Sequence, residues 1–232
     1  MLATLPLKNL WGKRKNNNFL FMITLTFLLI IIVFSLYCFN NKQQMSKYLF
    51  HPYSIYHNKE HYRFLSHAFI HGDTIHLLFN CLALYSFGLN LEEGFFENPN
   101  IFDPKMGKIY YIILFTGGIY AASITEYFRN KNNPDYSSLG ASGAISSIMF
   151  CYIMISPLSQ ISLFFFPMQG WIAGALLLGI SYYLIRRKKT SNYSDNISHE
   201  SHFWGALYGI AFIIIIKPII LKTFINQIIG IF

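Results

Sequence analysis

GASGAISSIMFCYIMISPLSQISLFFFPMQGWIAGALLLGISYYLI, residues 140–185, contains no Asp, Glu, Lys or Arg, and the charge-free run extends from Asp135 to Arg186. A helix crosses roughly 30 Å of hydrocarbon with about 20 residues, so this run is too long for one crossing. Pro157, with Ser156, Ser159 and Gln160 around it, divides the run into two spans, numbered 4 and 5 from the N-terminus. The first of these opens on Gly140-Ala141-Ser142-Gly143.

Charges delimit the other apolar stretches in the same way. Lys15 to Lys42 encloses span 1, whose apolar run goes from Phe19 to Phe39. Asp73 to Glu92 encloses most of span 2, which is expected to begin near Ala68. Lys108 to Glu126 encloses span 3, and Glu200 to Lys217 encloses span 6, which can continue through Leu221 with Lys217 snorkelling or facing protein. The expected architecture is an all-α membrane protein, a six-transmembrane-helix bundle over residues 19–222, with a short cytoplasmic segment before it (1–18) and a tail after it (223–232).

Composition agrees. Of 232 residues, 53% are hydrophobic and 12% charged, about half the charged share of soluble domains. The formal charge of +8 does not point to nucleic acid, because Lys13-Arg14-Lys15 and Arg186-Arg187-Lys188-Lys189 sit at span ends rather than on a basic helix face. Contact with the lipid bilayer explains them. Cys38, Cys81 and Cys151 lie in apolar stretches with no CxxC or zinc spacing. The N-terminal run is too long for a signal-peptide core and no small-residue cleavage site follows it, so it reads as an uncleaved span. Residues 40–66 form the longest piece between spans and carry His51, Tyr53, Tyr56, His57, His61, Tyr62 and Phe64, a mix suited to the headgroup region. Loop charges give only a lean towards a cytoplasmic N-terminus.

Spans 2, 4 and 6 run in one direction, so their N-terminal ends share one side of the membrane. His76 and Asn80 lie in the first half of span 2, Ser142 opens span 4 and His202 opens span 6. Polar groups at membrane depth are costly and point to function. Each group also has a structural reading. Small residues suit helix packing, a lone His suits an interfacial bond, and His with Asn suits interhelical hydrogen bonding. Together they make a nucleophile (Ser142), a general base (His202) and two side-chain donors for an oxyanion (His76, Asn80) at one depth. Gly140 and Gly143 allow close approach to Ser142, and Gly205 and Gly209 share a face one turn after His202, so His202 is expected to press against another helix. His67 and His71 are spaced for zinc, but no His-Glu-x-x-His pattern accompanies them, and they are read as ordering the loop near the site. No metal, nucleotide or other cofactor is implied. No acidic residue is placed in sequence to orient His202, so the simplest mechanism is a Ser–His dyad.

The segment Ser66-His67-Ala68-Phe69-Ile70-His71 with His76-Leu77-Leu78-Phe79-Asn80, the Gly140–Gly143 turn, and His202-Phe203-Trp204-Gly205-Ala206-Leu207-Tyr208-Gly209 resemble the rhomboid intramembrane serine proteases in order and spacing. The resemblance covers nearly the whole chain. It implies a serine endopeptidase acting on transmembrane segments of other membrane proteins. It makes Ser142 the nucleophile and His202 the base. His76, Asn80 and the Ser142 backbone N–H would form the oxyanion hole. It also makes Glu92 a structural carboxylate and sets Tyr62-Arg63 where the family has Trp-Arg. The chain departs from the family pattern at Tyr62, at Ser201 where Ala is usual, and at Ser146 where an aromatic often supports the His. Two other readings stay open: an inactive rhomboid-like binder of membrane proteins, and a histidine-lined metal or proton transporter. The Asn-, Lys- and Ile-rich composition suggests a bacterial inner (plasma) membrane. Substrate and oligomeric state are not legible.

Overall fold

The computed structural model describes residues 22–163, 166–190 and 198–231, so the segment 1–18 and the start of span 1 lie outside the described residues. Helix α1 (Ile23–Phe39) is followed by short helices α2 (Lys42–Tyr48), α3 (Pro52–His57) and α4 (Arg63–Ser66). A 3₁₀ turn, His67–Phe69, leads into a helical rod made of α5 (Thr74–Ala83), a π turn (Leu84–Gly88), α6 (Leu89–Leu91) and a second π turn (Glu92–Phe96). Then come α7 (Pro104–Asn130), α8 (Ser142–Ile155), a hairpin of β1 (Gln160–Leu163) and β2 (Phe166–Gln169), α9 (Gly170–Thr190), α10 (His199–Ile216) and α11 (Ile219–Ile229).

Local sequence sets the helix starts. Asp73 caps α5 by accepting from His76 N, and Asp103 caps α7 by accepting from Lys105 N and Met106 N, with Pro104 in the first turn. Ser198 caps α10 by accepting from Ser201 N. Among the described residues, three helical stretches are long and apolar enough to cross a membrane: Thr74–Phe96, Lys105–Asn130 and His199–Ile216. Helices α1, α8 and α11 are apolar but shorter.

Several boundaries differ from the sequence reading. The helix of span 2 begins at Thr74, since the Asp73 cap, not apolarity, sets its start. Helix α7 runs past both charges taken as its limits, Lys108 and Glu126. A two-stranded antiparallel hairpin fills the break at Pro157, with Gln160 paired to Gln169. Helix α10 ends at Ile216 instead of reaching Leu221, because Pro218 lacks an N–H and its ring collides with the preceding turn. Lys217 turns inward there, donating to Ile101 O at 3.1 Å over the Phe102 ring. The expected tail from 223 onward is largely helix α11.

Helices α7, α8 and α10 pack on one another through small residues. A Cβ on Gly205 would stand 2.1 Å from Gly143 O, and one on Gly209 would stand 2.1 Å from Ser147 O. From α7, Gly118 faces the Ser147 side chain, and a Cβ there would also stand 3.1 Å from the Ala144 Cα. Such backbone-to-backbone approach is how apolar helices associate where lipid tails compete for side-chain packing.

Candidate active site

The loop before α8 is held from both sides. Phe50 and Ser138 exchange backbone hydrogen bonds of 2.9 and 3.0 Å, and Gly140 N donates to His67 O at 2.9 Å. Gly140 has φ +113°, a conformation that L side chains rarely adopt. This bend turns the chain into α8, and Ser142 is its first residue, half-buried. The first N–H groups of the helix lack intrahelical acceptors and lie at its positive end.

His202 sits in the first turn of α10, also half-buried. The glycine crossing brings the two helix starts together: Ser201 O lies 3.5 Å, and Ser201 Cβ 3.7 Å, from where a Gly143 Cβ would be. Thus the residue before His202 lies beside the residue after Ser142. Among the described residues, no hydrogen bond engages the Ser142 hydroxyl or the His202 ring. Catalytic hydrogen bonds are often long in free enzymes and tighten with substrate.

His76 approaches the same turn. A Cβ on Gly140 would stand 2.9 Å from His76 Cε1 and 3.0 Å from Nε2. Asn80 is buried one turn further along α5, and its amide donates to His76 O at 2.9 Å. That uses one of its two N–H protons and leaves the other available.

His67 and His71 are tied into this scaffold. His67 Nδ1 donates to Arg63 O at 2.9 Å, and its Nε2 is 3.4 Å from Ser123 Oγ. Ala141 N donates to His71 Nε2 at 3.4 Å, which leaves His71 Nδ1–H to face Ser35 Oγ at 3.0 Å. These partners occupy both rings. Buried Arg63 donates to Ser46 O and Leu49 O and pairs with Glu60, fixing the loop after α1. Glu92, fully buried, accepts from Ile23 N at 2.6 Å and from Thr24 N and Thr24 Oγ1, so it caps α1 from span 2.

Burial lowers the imidazoles of the two loop histidines, His67 to about 4 and His71 to about 3. An unfolded-chain His titrates near about 6.5. Above that pH both are neutral folded or unfolded, and their full contribution is present. As pH falls from about 6.5 towards about 4, the unfolded chain takes up protons that the folded one refuses, and stability is lost. The melting temperature in detergent is expected to drop through that window, and His71→Asn to flatten the drop. An equally steep wild-type and variant profile would contradict this.

Sequence reading missed one cluster. Glu126, treated only as a span boundary, is buried, and it accepts from Ser138 Oγ, Ser198 Oγ and Ser201 Oγ. Its one early signal was Ser201 in a place where the family usually has Ala.

A Rhomboid domain matches residues 58–219, more than half of the chain. The chain belongs to the rhomboid family. It is 31% identical over 153 residues to RHOMBOID-like protein 12, mitochondrial, of Arabidopsis thaliana, covering 61% of this chain and 42% of that protein. It is 31% identical over 151 residues to Rhomboid protein 1, mitochondrial, of Saccharomyces cerevisiae, covering 62% and 39%. With Rhomboid-related protein 1 of Caenorhabditis elegans it shares 27% over 158 residues, covering 66% and 39%. The matched stretch spans about two fifths of the length of these relatives. They are eukaryotic and two are named mitochondrial, which overturns the bacterial inner membrane expected from composition. Asn-, Lys- and Ile-rich usage reports nucleotide bias, not compartment.

Proposed function

We propose that this chain is an intramembrane serine endopeptidase with six membrane spans, cleaving transmembrane segments of other membrane proteins. The observation that carries the reading is the seating of Gly205 on the Gly143 backbone, which brings the starts of α8 and α10 together. Ser142 Oγ attacks the scissile carbonyl while His202 takes its proton. The oxyanion that forms accepts hydrogen bonds from the Ser142 N–H, His76 and the free Asn80 amide proton. His202 then protonates the leaving amine as the C–N bond breaks. Water, activated by His202, releases the acyl group and restores the hydroxyl. A substrate helix must unwind locally, since its hydrogen-bonded backbone hides the carbonyl. The names of two relatives favour a mitochondrial membrane as the site of action.

The unengaged Ser142 hydroxyl favours a second reading, a rhomboid-like binder without activity. Cleavage of transmembrane reporters by the reconstituted chain separates the two. His76→Ala and Asn80→Ala are each expected to lower kcat by about 10²-fold, the usual effect of losing one oxyanion donor. A wild type that is folded but leaves every reporter intact would favour the binder, and unchanged kcat in both variants would refute the oxyanion assignment.

A further inference from the structure

We propose that Glu126 is a positioning residue that locks the nucleophile loop and the start of the His202 helix to one buried carboxylate. The inference rests on the Ser142–His202 reading above. Glu126 is 3% exposed near the end of α7. Its Oε2 accepts from Ser138 Oγ at 3.2 Å, in the loop that leads to Ser142. Its Oε1 accepts from Ser201 Oγ at 3.1 Å, in the first turn of α10, and from Ser198 Oγ, the N-cap of that helix. One oxygen therefore serves the base-bearing helix and the other serves the nucleophile-bearing loop.

This is more than a helix cap. Ser198 Oγ by itself caps α10, accepting from Ser201 N at 3.2 Å. The carboxylate adds a fixed direction to that hydroxyl, and its negative charge is favoured at a helix start. One turn along α7, Arg129 grips Glu200 with both terminal nitrogens, at 2.5 and 2.6 Å. Two straps from α7 thus hold the α10 start against translation and rotation, and His202 follows Ser201 directly. Position matters because a shift of about 1 Å at a catalytic group can cost about 10²-fold in rate.

The full chain in liposomes would be compared with Glu126→Ala, Glu126→Gln and Ser201→Ala. Four quantities would be read: kcat and KM on a transmembrane reporter, the rate of fluorophosphonate labelling, and amide hydrogen exchange. Glu126→Ala is expected to lower kcat and labelling at least about tenfold with KM within about twofold, and to raise exchange in residues 136–142 and 198–204 together. Glu126→Gln keeps acceptor oxygen and shape, and is expected to recover most of the loss. Ser201→Ala tests the contact if Glu126→Ala fails to fold, with a smaller fall in kcat and unchanged KM. Wild-type kcat and labelling in both Glu126→Ala and Ser201→Ala would overturn the proposal, as would exchange rising in one segment alone. A wild type that neither labels nor cleaves would refute the dyad reading instead, and the exchange comparison would still decide whether Glu126 joins the two segments.

Discussion

Ser142→Ala is expected to abolish reporter cleavage, by at least about 10³-fold, while leaving the melting temperature unchanged. The size of the loss follows from covalent catalysis: with no hydroxyl there is no acyl-enzyme, and only positioning and oxyanion donors remain. The unchanged stability follows from the structure, because no described residue hydrogen-bonds to that hydroxyl and the side chain is half-buried, not wedged in the core. His202→Ala is expected to lose activity to a similar extent, and the double variant no more than either single one, since groups acting as a unit are not additive. Initial rates with a fluorogenic transmembrane reporter, alongside melting curves, check all three. Activity retained in Ser142→Ala would show that another group is the nucleophile.

The second large effect is expected at Gly205. A methyl group there would stand 2.1 Å from Gly143 O and 2.9 Å from Gly143 C. Both are backbone atoms, so no rotamer change relieves the clash, and α10 must move away from α8. Overpacking of this kind costs about 1–3 kcal/mol. The displacement also separates His202 from Ser142, so Gly205→Ala is expected to lose cleavage by about 10²-fold or more even at temperatures where it stays folded. Gly179, where a Cβ would meet nothing within 4 Å, provides the control, and Gly179→Ala is expected to keep full activity. Equal behaviour of the two variants would mean that the helix crossing does not set the site.

The elements of the candidate site were legible because their signals are local. Glycines beside Ser142, the four-residue step from His76 to Asn80, and the glycine pair after His202 all follow from helix periodicity. Direction of crossing then put them on one side. What was not legible depends on contacts between distant segments. Glu126 reads as a charge that ends a span until folding sets Ser138, Ser198 and Ser201 around it. The hairpin of β1 and β2 lies in an apolar run whose composition is equally suited to helix, and strand pairing alone distinguishes it. Span limits drawn from charges failed at α7, whose Lys108 pairs with Glu97 and whose Glu126 is satisfied by hydroxyls, so neither charge needs to end the helix. Pro218 ended α10 where apolarity alone would have continued it.

The most direct measurement is to treat the reconstituted chain with a fluorophosphonate, digest it and find the modified residue by mass spectrometry. One adduct is expected, on Ser142, lost in His202→Ala. An adduct on a different serine, or none on a folded wild type, would contradict it.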